Sequence, residues 1–173
     1  MEIGMKRGFT LLELLISIGV ISLVTIVLTQ ILFSTMHVNT KTEIMKEVKQ
    51  NGDFALGVMV RMIHNAQVIG SVCDGTPASS ISMTNLDGGT TDFTCMSDSS
   101  VFRIASNSAF LTSSKVTLTG SGCSDALTFT CVTEANNSKN IQISFSLAQV
   151  GTPPAAYETA STTFQTNVSV RSQ

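Results

Sequence analysis

The strongest constraint in this sequence is the run from Phe9 to Phe33, whose only charged residue is Glu13. At ~1.5 Å per residue its roughly 25 residues make about 37 Å of helix, enough to cross the ~30 Å hydrocarbon core of a bilayer with some tilt. The run reads as a membrane helix. A secretory signal peptide has a shorter apolar core and a small-residue cleavage site after it, and neither is found here. Lys6 and Arg7 stand directly before Gly8, with Glu2 ahead of them, so the leading segment is net basic. The positive-inside rule keeps such a segment in the cytoplasm and sends the C-terminal part outward. Glu13 is the anomaly, because an ionised carboxylate at the centre of a membrane helix costs about 2.5–3.5 kcal/mol on insertion scales. It needs a cationic partner, or a place near the headgroups where the helix dipole and snorkelling favour it.

The stretch Lys6-Arg7-Gly8-Phe9-Thr10-Leu11-Leu12-Glu13-Leu14-Leu15-Ile16 resembles the class III signal of type IV pilins and type II secretion pseudopilins. The resemblance implies that a prepilin peptidase cuts between Gly8 and Phe9 and that Phe9 is then N-methylated. It implies a type IV pilin-like α+β fold, in which a long N-terminal helix, its first half embedded in membrane, packs on a C-terminal, mostly antiparallel β-sheet. The implied partners are other pilin or pseudopilin subunits, the peptidase, a pilus or secretion assembly platform, and lipid of the inner (cytoplasmic) membrane. The implied destination is a periplasmic or cell-surface filament. Cleavage would expose a cationic amine on Phe9, and in a filament core that amine can meet the Glu13 carboxylate of a neighbour as an assembly salt bridge. A buried pair of this kind adds little net stability over an apolar pair, but losing one partner costs about 3–5 kcal/mol. Glu13 would set register more than strength.

Major pilins often carry a proline late in the membrane segment, where this chain has Thr29 and Gln30. Residues Asn51 to Ala66 also resemble the end of the long helix in minor pilins of the W class and J-type pseudopilins. The resemblance therefore favours a minor pilin or pseudopilin, with a place in a tip or initiation complex, over a major pilin. Outside the family, the alternative is a single-pass membrane-anchored adhesive or binding domain that forms no filament.

The expected organisation is a cleaved leader at 1–8, a membrane and filament-core helix at 9–33, an amphipathic continuation at 34–67 and an extracytoplasmic β-rich domain at 68–173. In the continuation, Ile44, Val48, Ala55, Met59, Met62 and Ala66 recur as one stripe of a 3.6-residue period, with Lys46, Lys49, Asp53 and Arg61 mostly elsewhere. No proline occurs before Pro77. Gly19, Gly52 and Gly57 each weaken a helix by about 1 kcal/mol relative to Ala, and mark either bends or close packing.

Beyond Gly70 the composition turns to Ser, Thr, Gly and Asn, and the period changes to 2. Strands are expected at Ile81–Met83, Val101–Ile104, Val116–Thr119, Leu127–Val132, Ile141–Leu147 and Phe164–Val170, separated by turns at Asp87-Gly88-Gly89, Gly120-Ser121-Gly122, Asn136-Asn137-Ser138 and Gly151-Thr152-Pro153-Pro154. Consecutive strands with short connections imply one mostly antiparallel sheet with its apolar face on the helix stripe. Cys73, Cys95, Cys123 and Cys131 all lie on the outward side, where disulfides persist. Three connectivities are possible, and nearness along the chain favours Cys73 with Cys95 and Cys123 with Cys131.

The net charge of −2 and pI near 5.6 leave no overall electrostatic footprint for nucleic acid. His37 and His64 stand far apart on a rod, and the cysteines lack C-x-x-C spacing, which argues against zinc. Asp74, Asp87, Asp92, Asp98 and Asp125 are scattered over loops without calcium-ligand spacing. No cofactor, metal or catalytic residue is expected. The Asn136-Asn137-Ser138 and Asn167-Val168-Ser169 triplets match the glycosylation pattern, a match read as accidental.

Overall fold

The computed structural model describes residues 9–135, 138–151 and 160–170. Gly8 and the rest of the leader, the Asn136-Asn137 pair and the Thr152-Pro153-Pro154 turn lie outside the described residues. The chain divides into two units, Met1–Thr40 and Lys41–Gln173. Helix α1, Leu11–His64, begins in the first and ends in the second.

Up to Phe33 α1 is apolar around most of its circumference, and hydroxyl side chains along this part and the turns after it are folded back on their own helix. Ser17 donates to the Glu13 carbonyl at 2.8 Å, Thr35 to that of Ile31 at 2.9 Å and Thr40 to that of Met36 at 3.1 Å. Such back-bonding lets a hydroxyl sit in an apolar setting without an unmet donor.

In the second unit the strands are β1 (Val68–Ile69), β2 (Asp74–Ala78), β3 (Ser80–Thr84), β4 (Thr90–Asp98), β5 (Val101–Ser106), β6 (Ala109–Phe110) and β7 (Val116–Leu118). A short helix α2 (Cys123–Ala126) precedes β8 (Leu127–Thr133), β9 (Lys139–Gln149) and β10 (Ser161–Ser169). The architecture is α+β with antiparallel pairing throughout, but the strands form two sheets where a single one was expected. One sheet runs β1-β3-β4-β5-β6 and the other β10-β9-β8-β2. The long strand β9 takes β10 along one side and both β8 and β7 in succession along the other. Where β7 passes β5, no ladder forms. Instead the Thr117 hydroxyl accepts from the Phe102 amide at 3.1 Å, so one side chain stitches the sheets together.

Strict alternation builds the core. Leu127, Phe129 and Cys131 of β8 and Ile141, Ile143, Phe145 and Leu147 of β9 point inward, while the intervening Thr, Ser, Gln and Asn face out. The helix contributes Val48, Gly52, Ala55, Met59 and Ile63, followed by Ala66 just beyond it. Of the expected stripe, Val48, Ala55, Met59 and Ala66 are buried and Ile44 and Met62 are half-buried against the core, while Gly52 and Ile63, outside that stripe, are buried too. Contacts at Met45–Thr162, Gly52–Phe164 and His64–Ser169 advance together along both elements, so this part of α1 runs parallel to β10. Gly52 is a close-packing glycine and not a bend. A Cβ there would overlap the Phe164 ring, which stacks on Phe145 with centroids 5.2 Å apart.

The disulfides are Cys73–Cys131 and Cys95–Cys123, which overturns the pairing favoured by nearness. The physical reason is sheet topology. β2 lies antiparallel beside β8 with Asp74 opposite Val132, which brings Cys73 to Cys131 with Cα atoms 4.4 Å apart across 58 residues. Cys95, on the inward face of β4, meets Cys123 at the start of α2, Cα to Cα 5.3 Å. The first bridge joins the edge strand β2 to its own sheet, and the second ties the two sheets together.

The segment between β6 and β7 is held by Arg103. Its guanidinium lies 3.9 Å from the centroid of the Phe110 ring, pairs with Asp98 at 2.9 Å and donates from both Nε and Nη2 to the Thr112 carbonyl. The Asn51 carboxamide oxygen then accepts from the Ser113 amide at 2.8 Å, and Lys115 pairs with Glu47 at 3.1 Å. This segment fastens the first sheet to the helix.

Candidate processing and assembly site at the start of α1

The N-terminal end of α1 is set by Thr10. Its carbonyl accepts the first i→i−4 bond, from the Leu14 amide at 3.2 Å, and its hydroxyl accepts from the Glu13 amide at 3.3 Å. Thr10 is therefore the N-cap, and Thr10-Leu11-Leu12-Glu13 has the spacing of a capping box with Glu at its third helical position. Thr10 received no role in the sequence reading, although its spacing to Glu13 was a legible signal. Phe9 stands outside the helix with 77% of its surface exposed. Glu13 is exposed in the first turn, where the helix dipole favours a negative charge. Among the described residues its carboxylate has no hydrogen-bond or ion-pair partner. Gly8 lies outside the described residues.

The other residues singled out in the sequence do not converge on this end. All four cysteines are engaged in disulfides. His64 donates from Nδ1 to the Ser169 carbonyl at 3.0 Å, which fixes the role of that nitrogen. The expectation that the five aspartates sit on loops is corrected for Asp74, Asp92 and Asp98, which lie in β2 and β4. Four of the five carboxylates are committed locally. Asp74 accepts from the Thr76 hydroxyl and amide, Asp87 from the Gly89 amide, Asp98 from Arg103, and Asp125 from the Ser121 hydroxyl. The Thr76 hydroxyl and then its amide hold the Asp74 carboxyl below its ordinary range, and the Ser121 hydroxyl does the same for Asp125. Among the described residues, no three His, Cys, Asp or Glu side chains gather as a metal site.

Residues 4–29 match the family model described as the prokaryotic N-terminal methylation motif. The match spans Gly8, Phe9, the Thr10 cap, Glu13 and the apolar turns that follow, and it stops within α1. No curated protein and no solved structure matches the chain. The chain thus begins with a methylation motif that leads directly into a helix long and apolar enough to cross a membrane.

Proposed function

We propose that this chain is a prepilin-like structural subunit of a type IV pilus or type II secretion-like filament. The observation that carries the reading is the register of the methylation motif on α1. The motif's phenylalanine, Phe9, falls just outside the helix, the Thr10 cap opens it, and Glu13 occupies its first turn. In this reading a prepilin peptidase cuts between Gly8 and Phe9, and the new amine on Phe9 is methylated. The segment 9–33 is held in the inner membrane with the leader on the cytoplasmic side. An assembly platform then draws it into a filament core among other pilin or pseudopilin subunits. There the Phe9 amine of one subunit and the Glu13 carboxylate of the next relieve each other's burial. The disulfide-bonded domain is displayed on the outward side. The role is structural, and no residue is given a catalytic task.

Within that class the chain fits a minor pilin or J-type pseudopilin. α1 runs unbroken through Thr29 and Gln30, where a major pilin often has a proline. The experiment is a Glu13→Leu substitution, followed through processing and through the sheared filament fraction. Loss of one partner of a buried pair, about 3–5 kcal/mol, lowers incorporation at least tenfold while the protein remains in the membrane. Wild-type incorporation of Glu13→Leu would remove the role assigned to that carboxylate and return the chain to a simple membrane-anchored domain.

A further inference from the structure

The outer face of the β10-β9-β8-β2 sheet, turned away from α1, holds a shallow depression of about 310 Å³ lined by Thr130, Val132, Glu134, Asn140, Gln142 and Asn167. Strand register builds it. Asn167 of β10 and Thr130 of β8 lie opposite Gln142 of β9 on its two sides, so two carboxamides and a hydroxyl form one transverse row. At ~4.8 Å between strands that row is about 10 Å long, the reach of one or two pyranose rings. The next row sets Asn140 opposite Val132, whose side chain is 45% exposed. Glu134, just beyond β8, brings the single charge among the six, and its carboxylate accepts from the Ser138 hydroxyl at 3.3 Å and from the Asn140 NH2 at 3.4 Å. Among the described residues the side chains of Gln142, Asn167 and Thr130 have no hydrogen-bond partner, and those of Gln142 and Thr130 are half-buried.

The lining selects its ligand by exclusion. A carboxamide sets two donors beside an acceptor, so the row is satisfied by groups that both donate and accept. Glu134 repels anions, phosphates included, and a cation finds one carboxylate that is already hydrogen-bonded. None of the six residues is aromatic, which leaves a planar aromatic ligand nothing to stack on. An apolar ligand would cover Gln142 and leave its carboxamide unmet. Sugar hydroxyls both donate and accept, and the C–H face of a pyranose has Val132 to pack on. We propose that this face of β8, β9 and β10 is a binding site for a neutral oligosaccharide, whose hydroxyls are read by Gln142, Asn167 and Thr130. Glu134 keeps lone pairs for a further hydroxyl. The inference concerns the β-rich domain alone, and holds whether or not the chain is cleaved or enters a filament.

The test uses the full-length, isotope-labelled chain in a detergent without a sugar headgroup, with NMR following the side-chain NH2 signals of Gln142 and Asn167. Maltotriose, mannotriose and triacetylchitotriose are titrated separately, with glycerol as a hydroxyl control and galacturonic acid as an anionic one. At least one of the neutral trisaccharides moves both signals to saturation, while glycerol and galacturonate move neither. Gln142→Leu and Asn167→Ala, read on the remaining NH2 signal, each weaken that binding by about tenfold or more and leave the backbone spectrum of the core unchanged. No saturable shift with any of the three sugars overturns the proposal, as do shifts matched by glycerol or binding that Gln142→Leu leaves intact. Saturation by galacturonate in place of the neutral sugars overturns it too, since the site would then belong to an anion.

Discussion

Three residues show how local chemistry sets the behaviour of this chain. Gly52 is mid-helix, where glycine ordinarily weakens a helix by about 1 kcal/mol relative to alanine. Here the Phe164 ring occupies the space of the missing Cβ, so the usual sign reverses. Gly52→Ala should destabilise the detergent-solubilised protein by about 1–3 kcal/mol in denaturant unfolding, and adding Phe164→Leu should restore much of the loss. The β4–β5 turn places Ser99 and Ser100 at φ 51° and 75°, a left-handed conformation that serine adopts at a cost. Asn-Gly is the favoured pair for such a turn, and Ser99→Asn with Ser100→Gly should raise stability by about 1–2 kcal/mol in the same assay. Asp74 and Asp125 both contribute pH dependence. The folded pKa of Asp74 lies below the ordinary carboxylate range, so its contribution to stability is complete above that range and is lost as pH falls through the lower folded pKa. Thr76→Val, which removes the hydroxyl and keeps the amide hydrogen bond, should move the Asp74 carboxyl titration, followed by NMR, part of the way back up; an unchanged titration would mean that the Thr76 hydroxyl is not a cause.

At the scale of elements, α1 was legible because its signals reinforce each other: a basic stop, a glycine, then apolar residues on every face. Its amphipathic half was less sharp. After Met59, a step of three reaches Met62 and a step of four reaches Ile63; both are apolar, and only packing chooses Ile63. β4 escaped the sequence reading because its inward face is Thr91, Phe93 and Cys95, with a single large apolar residue to carry the period. β2 escaped because Asp74-Gly75-Thr76-Pro77-Ala78 carries no apolar alternation; its Gly75 and Pro77 sit on an edge strand with a register irregularity, a place that tolerates both. The disulfide pairing was beyond reach for a related reason, since Cys73 meets Cys131 only once β2 has been recognised as a neighbour of β8. Peptide mapping without reduction should recover Cys73 linked to Cys131 and Cys95 linked to Cys123. Replacing Cys95 and Cys123 by alanine should cost about 2–5 kcal/mol. A Cys73–Cys95 peptide in the folded protein would contradict the sheet order described above.

At the scale of the whole molecule, sequence and structure divide the functional reading between them. The motif, the helix and the position of Glu13 were readable from the first turns of the chain, because peptidase recognition and membrane insertion both act on short, local sequence. The domain beyond Gly70 carries no comparable signal. Its outer faces are hydroxyls and amides, and four of its five aspartates are occupied by neighbours. In the proposed reading, removal of the leader and creation of a charged, methylated amine beside Glu13 would distinguish a subunit from a merely anchored domain. The decisive measurement is intact-mass and N-terminal peptide mass spectrometry of the protein from a sheared surface-filament fraction and from whole membranes. A chain that starts at N-methylated Phe9 in both, and is sparse in the sheared fraction, is the expected result. A chain that still starts at Met1 and is confined to the membrane would contradict it.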